Sequence, residues 1–257
     1  MTVLGERFVK RRHDAPAGFF EVEAAGLRWL AVPGGVPVAE PLDVSPGYLS
    51  LVKLKSAPPT GAAADEFGRR LAVTHDAGAR HFGVPPDGWD GDGYIGTIGL
   101  PHAVDPMQSW GSFYANLRLR PYLRVAYSAG TIDGHQLELF ERVCRRLEDG
   151  EYDDPSERPS RLHGDLWSGN VVWSADGVHL IDPAAHGGHR ETDLAMLGLF
   201  GLPQLERVLR AYDEAHPLAD GWRERVGLHR LHPLLTHVVM FGGTYVAQAI
   251  AIAHKYG

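Results

Sequence analysis

Three side chains with carboxylate or amide groups, Asp165, Asn170 and Asp182, follow one another in one short stretch of the chain. Asn170 lies five residues after Asp165, and Asp182 lies seventeen residues after it. Phosphoryl transfer uses such a set: one carboxylate orients the attacking hydroxyl, while a second carboxylate and an amide hold Mg²⁺ on the nucleotide phosphates. The spacing therefore predicts Asp165 as the catalytic base and Asn170 and Asp182 as the Mg²⁺ ligands.

The residues between these side chains are predicted to form a β-hairpin. Two short runs of strand-forming residues, 171–173 and 178–181, flank the turn sequence Ala-Asp-Gly at 175–177. An Asp-Gly pair between such runs is a strong hairpin signal. The hairpin is expected to fold Asp182 back beside the loop that carries Asp165.

The same stretch matches the kinase catalytic loop H-R-D-x-x-x-x-N, with Gly164 in place of Arg and 182–184 (Asp-Pro-Ala) in place of D-F-G. His163 is expected to hold this loop through hydrogen bonds. Two interpretations of Asp193 stay open. Its negative charge is favoured by the dipole at the start of a helix, or its side chain braces the loop. Trp167 either belongs to the core or forms one wall of the acceptor site, and the wall is favoured.

A second chemical pair is predicted near the amino terminus. Residues 6–10 are expected to form a short strand that ends in Lys10, and residues 19–31 have apolar side chains at helical spacing around Glu23. Kinases pair a strand lysine with a helix glutamate to position the α and β phosphates. Lys10 and Glu23 are therefore predicted to contact the nucleotide.

The remaining patterns predict an α+β chain with a small β-rich lobe (1–57) and a larger, mostly helical lobe (58–257), joined near the break Pro-Pro-Thr at 58–60. Residues 85–106 are rich in Gly, Asp and Pro and are assigned to a functional loop with turns. The predicted further elements are strands at 36–44 and 48–54 and helices at 62–80, 109–129, 134–149, 191–200, 203–215 and 228–255, the last interrupted at Gly242-Gly243.

Composition excludes several classes of protein. The net charge of −7 over 257 residues argues against a nucleic-acid partner, which usually requires a basic face. Cys144 is the single cysteine, so the chain has no intramolecular disulfide. No apolar signal core or long apolar run occurs, which predicts a cytoplasmic protein with no membrane partner.

The motifs together resemble the fructosamine kinase (ketosamine 3-kinase) family, within the aminoglycoside-phosphotransferase-like kinases. The resemblance covers essentially the whole chain and is carried by the sequences FVK (8–10), FFEVEAAGLRWL (19–30), DGYIG (92–96), LHGDLWSGN (162–170) and IDPAAHGGHRETDLAML (181–197). HGD-x-x-x-GN alone marks only the broad superfamily, whereas the Trp of HGDLWSGN and its continuation are specific to ketosamine kinases.

This resemblance implies a two-lobed protein-kinase-like fold and ATP-dependent phosphorylation of the 3-hydroxyl of a ketosamine, either a small molecule or protein-bound. The unstable product would release the amine, which gives a role in deglycation. The resemblance also implies that Trp167, the loop residues Asp92 and Tyr94, and Arg118 face the sugar. A monomer is favoured.

The amino terminus departs from the family pattern. Only nine residues precede Lys10, whereas two strands and a phosphate-covering loop need about twenty. The first strand and that loop are therefore expected to be absent, and a misassigned start is favoured over lost ATP clamping. Two alternatives remain open: a catalytically weak pseudokinase or ketosamine-binding protein, and a small-molecule kinase for aminoglycosides or choline-like alcohols.

Overall fold

A small antiparallel sheet and one helix form the amino-terminal part of the computed structural model, which describes residues 6–107 and 109–257. The sheet has the order β1-β3-β2, and its elements are β1 (Arg7–Arg11), β2 (Pro41–Ser45) and β3 (Tyr48–Val52), with helix α1 (Phe19–Leu30) between β1 and β2. Lys10 is the register partner of Leu49. Both the strand and the helix predicted around Lys10 and Glu23 are confirmed.

Helix α1 lies against this sheet through its apolar face. Phe20, Ala24 and Leu27 follow the spacing of one helical face, and they form one buried cluster with Leu49 and Leu51 of β3. This packing fixes Glu23, which lies on the same helix, relative to Lys10 on the neighbouring strand. The predicted strand at 36–44 begins only at Pro41, because residue Val38 instead forms an isolated parallel bridge to Leu180.

Helices dominate the rest of the chain. The bounds are α2 (Gly61–Asp76), α3 (Trp110–Phe113), α4 (Arg120–Ser128), α5 (Gly134–Glu148), α6 (Arg190–Leu197), α7 (Leu205–Ala215), α8 (Trp222–His229), α9 (Leu231–Phe241) and α10 (Val246–Tyr256). The predicted helix at 228–255 corresponds to α9 and α10, and its predicted interruption at Gly242-Gly243 is confirmed. Gly242, at φ 81°, ends α9, and a 3₁₀ turn (Gly243–Tyr245) precedes α10. Among the described residues, no helix is both long and apolar enough to cross a membrane.

The predicted helix at 109–129 contains a π-helical segment, Tyr114–Leu119, between α3 and α4. Pro121, at the start of α4, has no amide hydrogen to donate to the carbonyl of Leu117, four residues earlier. That carbonyl instead accepts a hydrogen bond from the Arg118 guanidinium at 3.0 Å. The local irregularity thus turns Arg118 into the protein interior, where its side chain is 1% exposed.

Residues 85–106, assigned from the sequence to turns, contain a short hairpin that the sequence did not predict. Strands β4 (Gly93–Ile95) and β5 (Ile98–Leu100) pair antiparallel around a turn at Gly96, which has φ 56°. Strands of three residues are too short to show a clear alternation of apolar and polar side chains.

The predicted catalytic hairpin is confirmed. Strands β7 (Val171–Ser174) and β8 (Gly177–Leu180) pair antiparallel, with Val171 opposite Leu180. A second pair, β6 (Ser160–Leu162) and β9 (His186–Gly188), flanks it. The segments 163–170 and 181–185 both run between these two pairs of strands, so the fold places them side by side.

Candidate active site

Asp165 lies in a loop that Gly164 makes possible. Gly164 has φ 80°, and a Cβ atom at this position would lie 2.1 Å from the carbonyl oxygen of Ala184. Any other residue would therefore push the loop away from the segment that carries Asp182. This close approach gives a physical reason for glycine at the position that is arginine in the protein-kinase loop.

Asn170 ties the two catalytic segments together. Its amide nitrogen donates to the Asp165 carbonyl at 2.8 Å, to the Asp165 Oδ2 at 3.1 Å and to the Asp182 carbonyl at 3.4 Å. The side-chain nitrogen is thus occupied by protein acceptors, which leaves the amide oxygen available to a cation. The three residues that the sequence singled out are brought together, as the spacing predicted.

Lys10 lies between two carboxylates. Its Nζ is 2.6 Å from Glu23 Oε1 and 2.6 Å from Asp182 Oδ1. Burial disfavours the charged ammonium, but the two carboxylates outweigh that cost, so the pKa of Lys10 lies above its ordinary value. Lys10 therefore carries a positive charge next to Asp182.

Asp165 is half-buried, and the partial removal of its carboxylate from water raises its pKa to about 7. The hydrogen bond from Asn170 acts in the opposite direction, while the charges of Asp182 and Asp193 add to the rise. A carboxylate that titrates near neutral pH is matched to accepting and returning a proton at that pH.

Asp193 braces the loop that carries Asp165, and it also lies in the first turn of α6, so both interpretations considered from the sequence are consistent with the structure. Its two carboxylate oxygens accept the backbone N–H groups of His163 at 2.7 Å and Gly164 at 3.0 Å. Its side chain is fully buried and also lies 3.3 Å from the Nε2 of His75. The His163 ring in turn lies 2.9 Å from the carbonyl of Ile181, so it holds the loop as predicted.

A cavity of about 220 Å³, which we call the polar cavity, opens over these groups. Of the residues predicted to face the substrate, Trp167 and Tyr94 line it together with Asp165. The other lining residues are Phe19, Val22, Glu23, Gly93, Gly96, Leu100, His102, Asn170, Asp182, Pro183, Ala184 and Ala185. The unpredicted hairpin β4–β5 thus forms one wall of the cavity.

Arg118 and Asp92 do not line the cavity, contrary to the predicted contact with the sugar. Arg118 is buried behind the wall, where its Nη1 donates to the Pro101 carbonyl at 2.6 Å and its Nε to His186 Nε2 at 3.4 Å. Asp92 is exposed, and its Oδ1 accepts the backbone N–H of His102 at 2.9 Å. Both residues support the loop that carries His102.

His102 is a lining residue that sequence reasoning missed. Its Nδ1 lies 2.9 Å from the carbonyl of Gly91, and the space beside Gly93 accommodates its ring. Burial and the nearby Arg118 charge lower the pKa of His102 to about 4, so the ring is neutral at neutral pH. No local pattern marks this histidine, because the contacts that place it come from residues distant in the chain.

A second, apolar cavity of about 300 Å³ shares Asp182 with the first. It lies between the amino-terminal sheet and the catalytic hairpin, and its lining residues are Phe8, Ala39, Leu51, Val52, Lys53, Leu54, Ser56, Val172, Ile181 and Asp182. The polar cavity and the apolar cavity therefore meet at Asp182, beside the charged end of Lys10.

Oxygen ligands suit a hard divalent cation, and two of the residues present fit one. The side chain of Asp182 is 44% exposed, with one oxygen directed to Lys10. The Asn170 nitrogen is engaged, as described above, so that its oxygen is free to bind a cation. The donor set at this position is thus compatible with Mg²⁺.

The model of the fructosamine kinase family matches residues 3–256 of the chain. The chain belongs to the fructosamine kinase family. A probable ketoamine kinase of Vibrio vulnificus is 33% identical over 94% of this chain and 82% of that protein. The chain is therefore a phosphotransferase that uses ATP and acts on ketosamines.

Solved structures support the same assignment. The candidate fructosamine-3-kinase of Thermobifida fusca is 46% identical, with a TM-score of 0.90 over 97% of this chain and 85% of that one. The corresponding protein of Haemophilus somnus is 25% identical, with a TM-score of 0.84 over 98% and 84% of the two chains. The predicted α+β, protein-kinase-like fold is confirmed. The family match also places the chain among enzymes, which disfavours the pseudokinase alternative.

The expected absence of a phosphate-covering loop concerns the residues ahead of Lys10. Residues 1–5 lie outside the described part of the chain, and β1 begins at Arg7. The division into lobes at residues 57 and 58 likewise stays a prediction.

Proposed function

We propose that this kinase transfers the terminal phosphoryl group of ATP to the 3-hydroxyl of a ketosamine bound in the polar cavity. The meeting of the polar and apolar cavities at Asp182 carries this proposal. The apolar cavity suits the adenine ring, the neighbouring Lys10 suits the phosphates, and Asp165 lies in the cavity that would hold the acceptor. The adenine ring, the phosphates and the acceptor would thus lie next to one another in this order across the site.

In this proposal Asp165 orients the 3-hydroxyl and accepts its proton. Lys10 binds phosphate oxygens, and Glu23 keeps the Lys10 side chain extended across the site. Asp182 and Asn170 are the residues that would hold Mg²⁺, which neutralises phosphate charge when it is bound. Positioning and electrostatic stabilisation supply most of the rate in phosphoryl transfer, so the residues that fix these groups matter as much as the base.

Trp167 and Tyr94 are proposed to bind the substrate from two sides of the cavity. Tyr94 is itself held by a hydrogen bond from its hydroxyl to the Ala17 carbonyl at 3.1 Å. The amine of a ketosamine is protonated at neutral pH, and an aromatic ring such as that of Trp167 attracts a cation placed over its face. A phosphate on O3 is a leaving group, so enolisation toward C1 expels it and the amine is then released by hydrolysis.

The test is turnover of a synthetic ribulosamine or fructosamine with ATP and Mg²⁺, followed by NMR assignment of the phosphorylated position. The matched control is the 3-deoxy analogue of the same compound, which retains every other group. We expect ADP formation with the ketosamine and none with the 3-deoxy analogue. Equal turnover of both compounds, or phosphate on another oxygen, would refute the assignment of the 3-hydroxyl.

Replacing Lys10 by Met is expected to lower kcat/KM for ATP by about 10²-fold, because a charge next to the phosphates is lost and Glu23 is left near Asp182 without a counter-charge. The matched variant Glu23→Gln keeps the contact of Lys10 with Asp182 and is expected to have a smaller effect. Steady-state kinetics with varied ATP measure both. A larger loss for Glu23→Gln than for Lys10→Met would contradict the assigned roles.

A further inference from the structure

A continuous row of aromatic rings begins at Trp167, which lines the polar cavity. Trp167, on the cavity wall, meets Phe200 at a ring-centre distance of 5.9 Å, and Phe200 meets His237 at 5.0 Å. His237 then contacts Phe241 at 5.5 Å and Tyr245 at 4.9 Å. We call Phe200, His237, Phe241 and Tyr245 the aromatic strip.

The two phenylalanines of the aromatic strip are exposed to solvent, and His237 and Tyr245 are half-buried. The exposed fractions are 37% for Trp167, 39% for Phe200 and 65% for Phe241. Single exposed apolar side chains are ordinary on a protein surface, whereas contiguous exposed apolar patches mark binding sites. The strip is contiguous, and its first member touches a residue that lines the catalytic cavity.

Helix ends hold the strip in place. The break at Gly242 ends α9 and starts the 3₁₀ turn, which sets Phe241 beside Tyr245 at 6.3 Å. The His237 ring is fixed because its Nδ1 lies 2.7 Å from the carbonyl of Pro233. Phe200 follows shortly after α6, the helix that also carries Asp193. The strip is therefore anchored by elements of the same core that positions the catalytic loop.

The small volume of the cavity leaves room for only part of the substrate. At about 220 Å³ the cavity is smaller than the 300–1,000 Å³ typical of pockets that enclose a drug-sized ligand. It suits the sugar part of a ketosamine, so that the group on the amine must leave through the mouth. Gly96, which lines the cavity, lies against Met240 of α9, the residue before Phe241, since a Cβ on Gly96 would lie 3.0 Å from the Met240 sulfur.

We propose that the aromatic strip binds the substituent on the amine of the ketosamine, and that it selects aromatic or large aliphatic substituents over small ones. This inference rests on the proposed function, because it places the sugar beside Asp165. Stacking and apolar burial on Phe200 and Phe241 would contribute affinity without contact with the reacting atoms. The strip would thus determine which ketosamines the enzyme prefers.

The test compares two ribulosamines that differ only in the amine substituent, N-benzyl and N-methyl. Isothermal titration gives a Kd for each with unchanged protein, with Phe241→Ala and with the double variant Phe200→Ala/Phe241→Ala. Tyr127→Ala is the matched control, because it removes an aromatic side chain that is 49% exposed outside the strip. Turnover of both compounds with ATP is measured in parallel.

We expect the N-benzyl compound to bind about tenfold more tightly than the N-methyl compound. This ratio should fall to about threefold in Phe241→Ala and below about twofold in the double variant, and it should be unchanged in Tyr127→Ala. Equal affinities in the unchanged protein, or a ratio that survives the double replacement, would overturn the role of the strip. If the affinity ratio behaves as expected but neither compound is turned over, the proposed reaction is overturned instead. If neither compound binds, both the proposed reaction and the role of the strip are overturned.

Discussion

Replacement of Asp165 by Asn is expected to lower kcat about 10³-fold and to leave the fold intact. The amide cannot accept the proton of the acceptor hydroxyl, and removal of a positioned general base typically costs 10²- to 10⁴-fold in rate. The fold should tolerate the change, because burial already raises the pKa of this carboxylate and an amide of the same shape carries no charge. The measurement is ketosamine-dependent ADP release, with thermal unfolding as the check on structure.

Asp176→Asn is the matched control for this prediction. Asp176 lies in the turn of the catalytic hairpin, its side chain is 78% exposed, and Asn-Gly is as suitable for a hairpin turn as Asp-Gly. Its kcat should stay within about twofold of the unchanged enzyme. A kcat for Asp165→Asn within tenfold of normal would show that Asp165 is not the base.

Replacement of Asp193 by Ala is expected to lower the free energy of unfolding by about 3–5 kcal/mol. The change leaves the buried N–H groups of His163 and Gly164 without acceptors, and each unpaired donor costs about 1–3 kcal/mol. It also releases the loop that carries Asp165, so activity should fall even at temperatures where the variant is folded. Chemical denaturation and kinetics at low temperature measure the two effects separately.

Two further variants serve as comparisons for the loss of stability in Asp193→Ala. Asp193→Asn retains one acceptor oxygen and should fall between the alanine variant and the unchanged enzyme. Asp213→Ala removes an acceptor from the backbone N–H of Leu218 at an exposed position, where water replaces it, and should cost less than about 1 kcal/mol. If Asp193→Ala were no more destabilising than Asp213→Ala, the brace would be unimportant.

The catalytic centre follows largely from local sequence. Asp165 and Asn170 lie within one loop that ends in a 3₁₀ turn (Ser168–Asn170), and the Asp-Gly turn folds Asp182 back through short-range pairing. Helix α1 can also be predicted from its own sequence, because its apolar side chains repeat at helical spacing. Local periodicity and turn chemistry are properties of neighbouring residues, which is why these predictions are confirmed.

Tertiary structure alone decided the walls and supports of the site. Arg118 looked available to bind a sugar, but a π-helical turn buries it behind the cavity. His102 reached the cavity wall through contacts with Gly91 and Asp92, and the role of Asp193 depended on which backbone groups it met across the fold. The positions of these side chains depend on contacts with residues far away in the sequence, and such contacts cannot be predicted from the spacing of residues along the chain. The sequence by itself therefore determined the elements that bring Asp165, Asn170 and Asp182 together, and long-range packing determined the shape of the site around them.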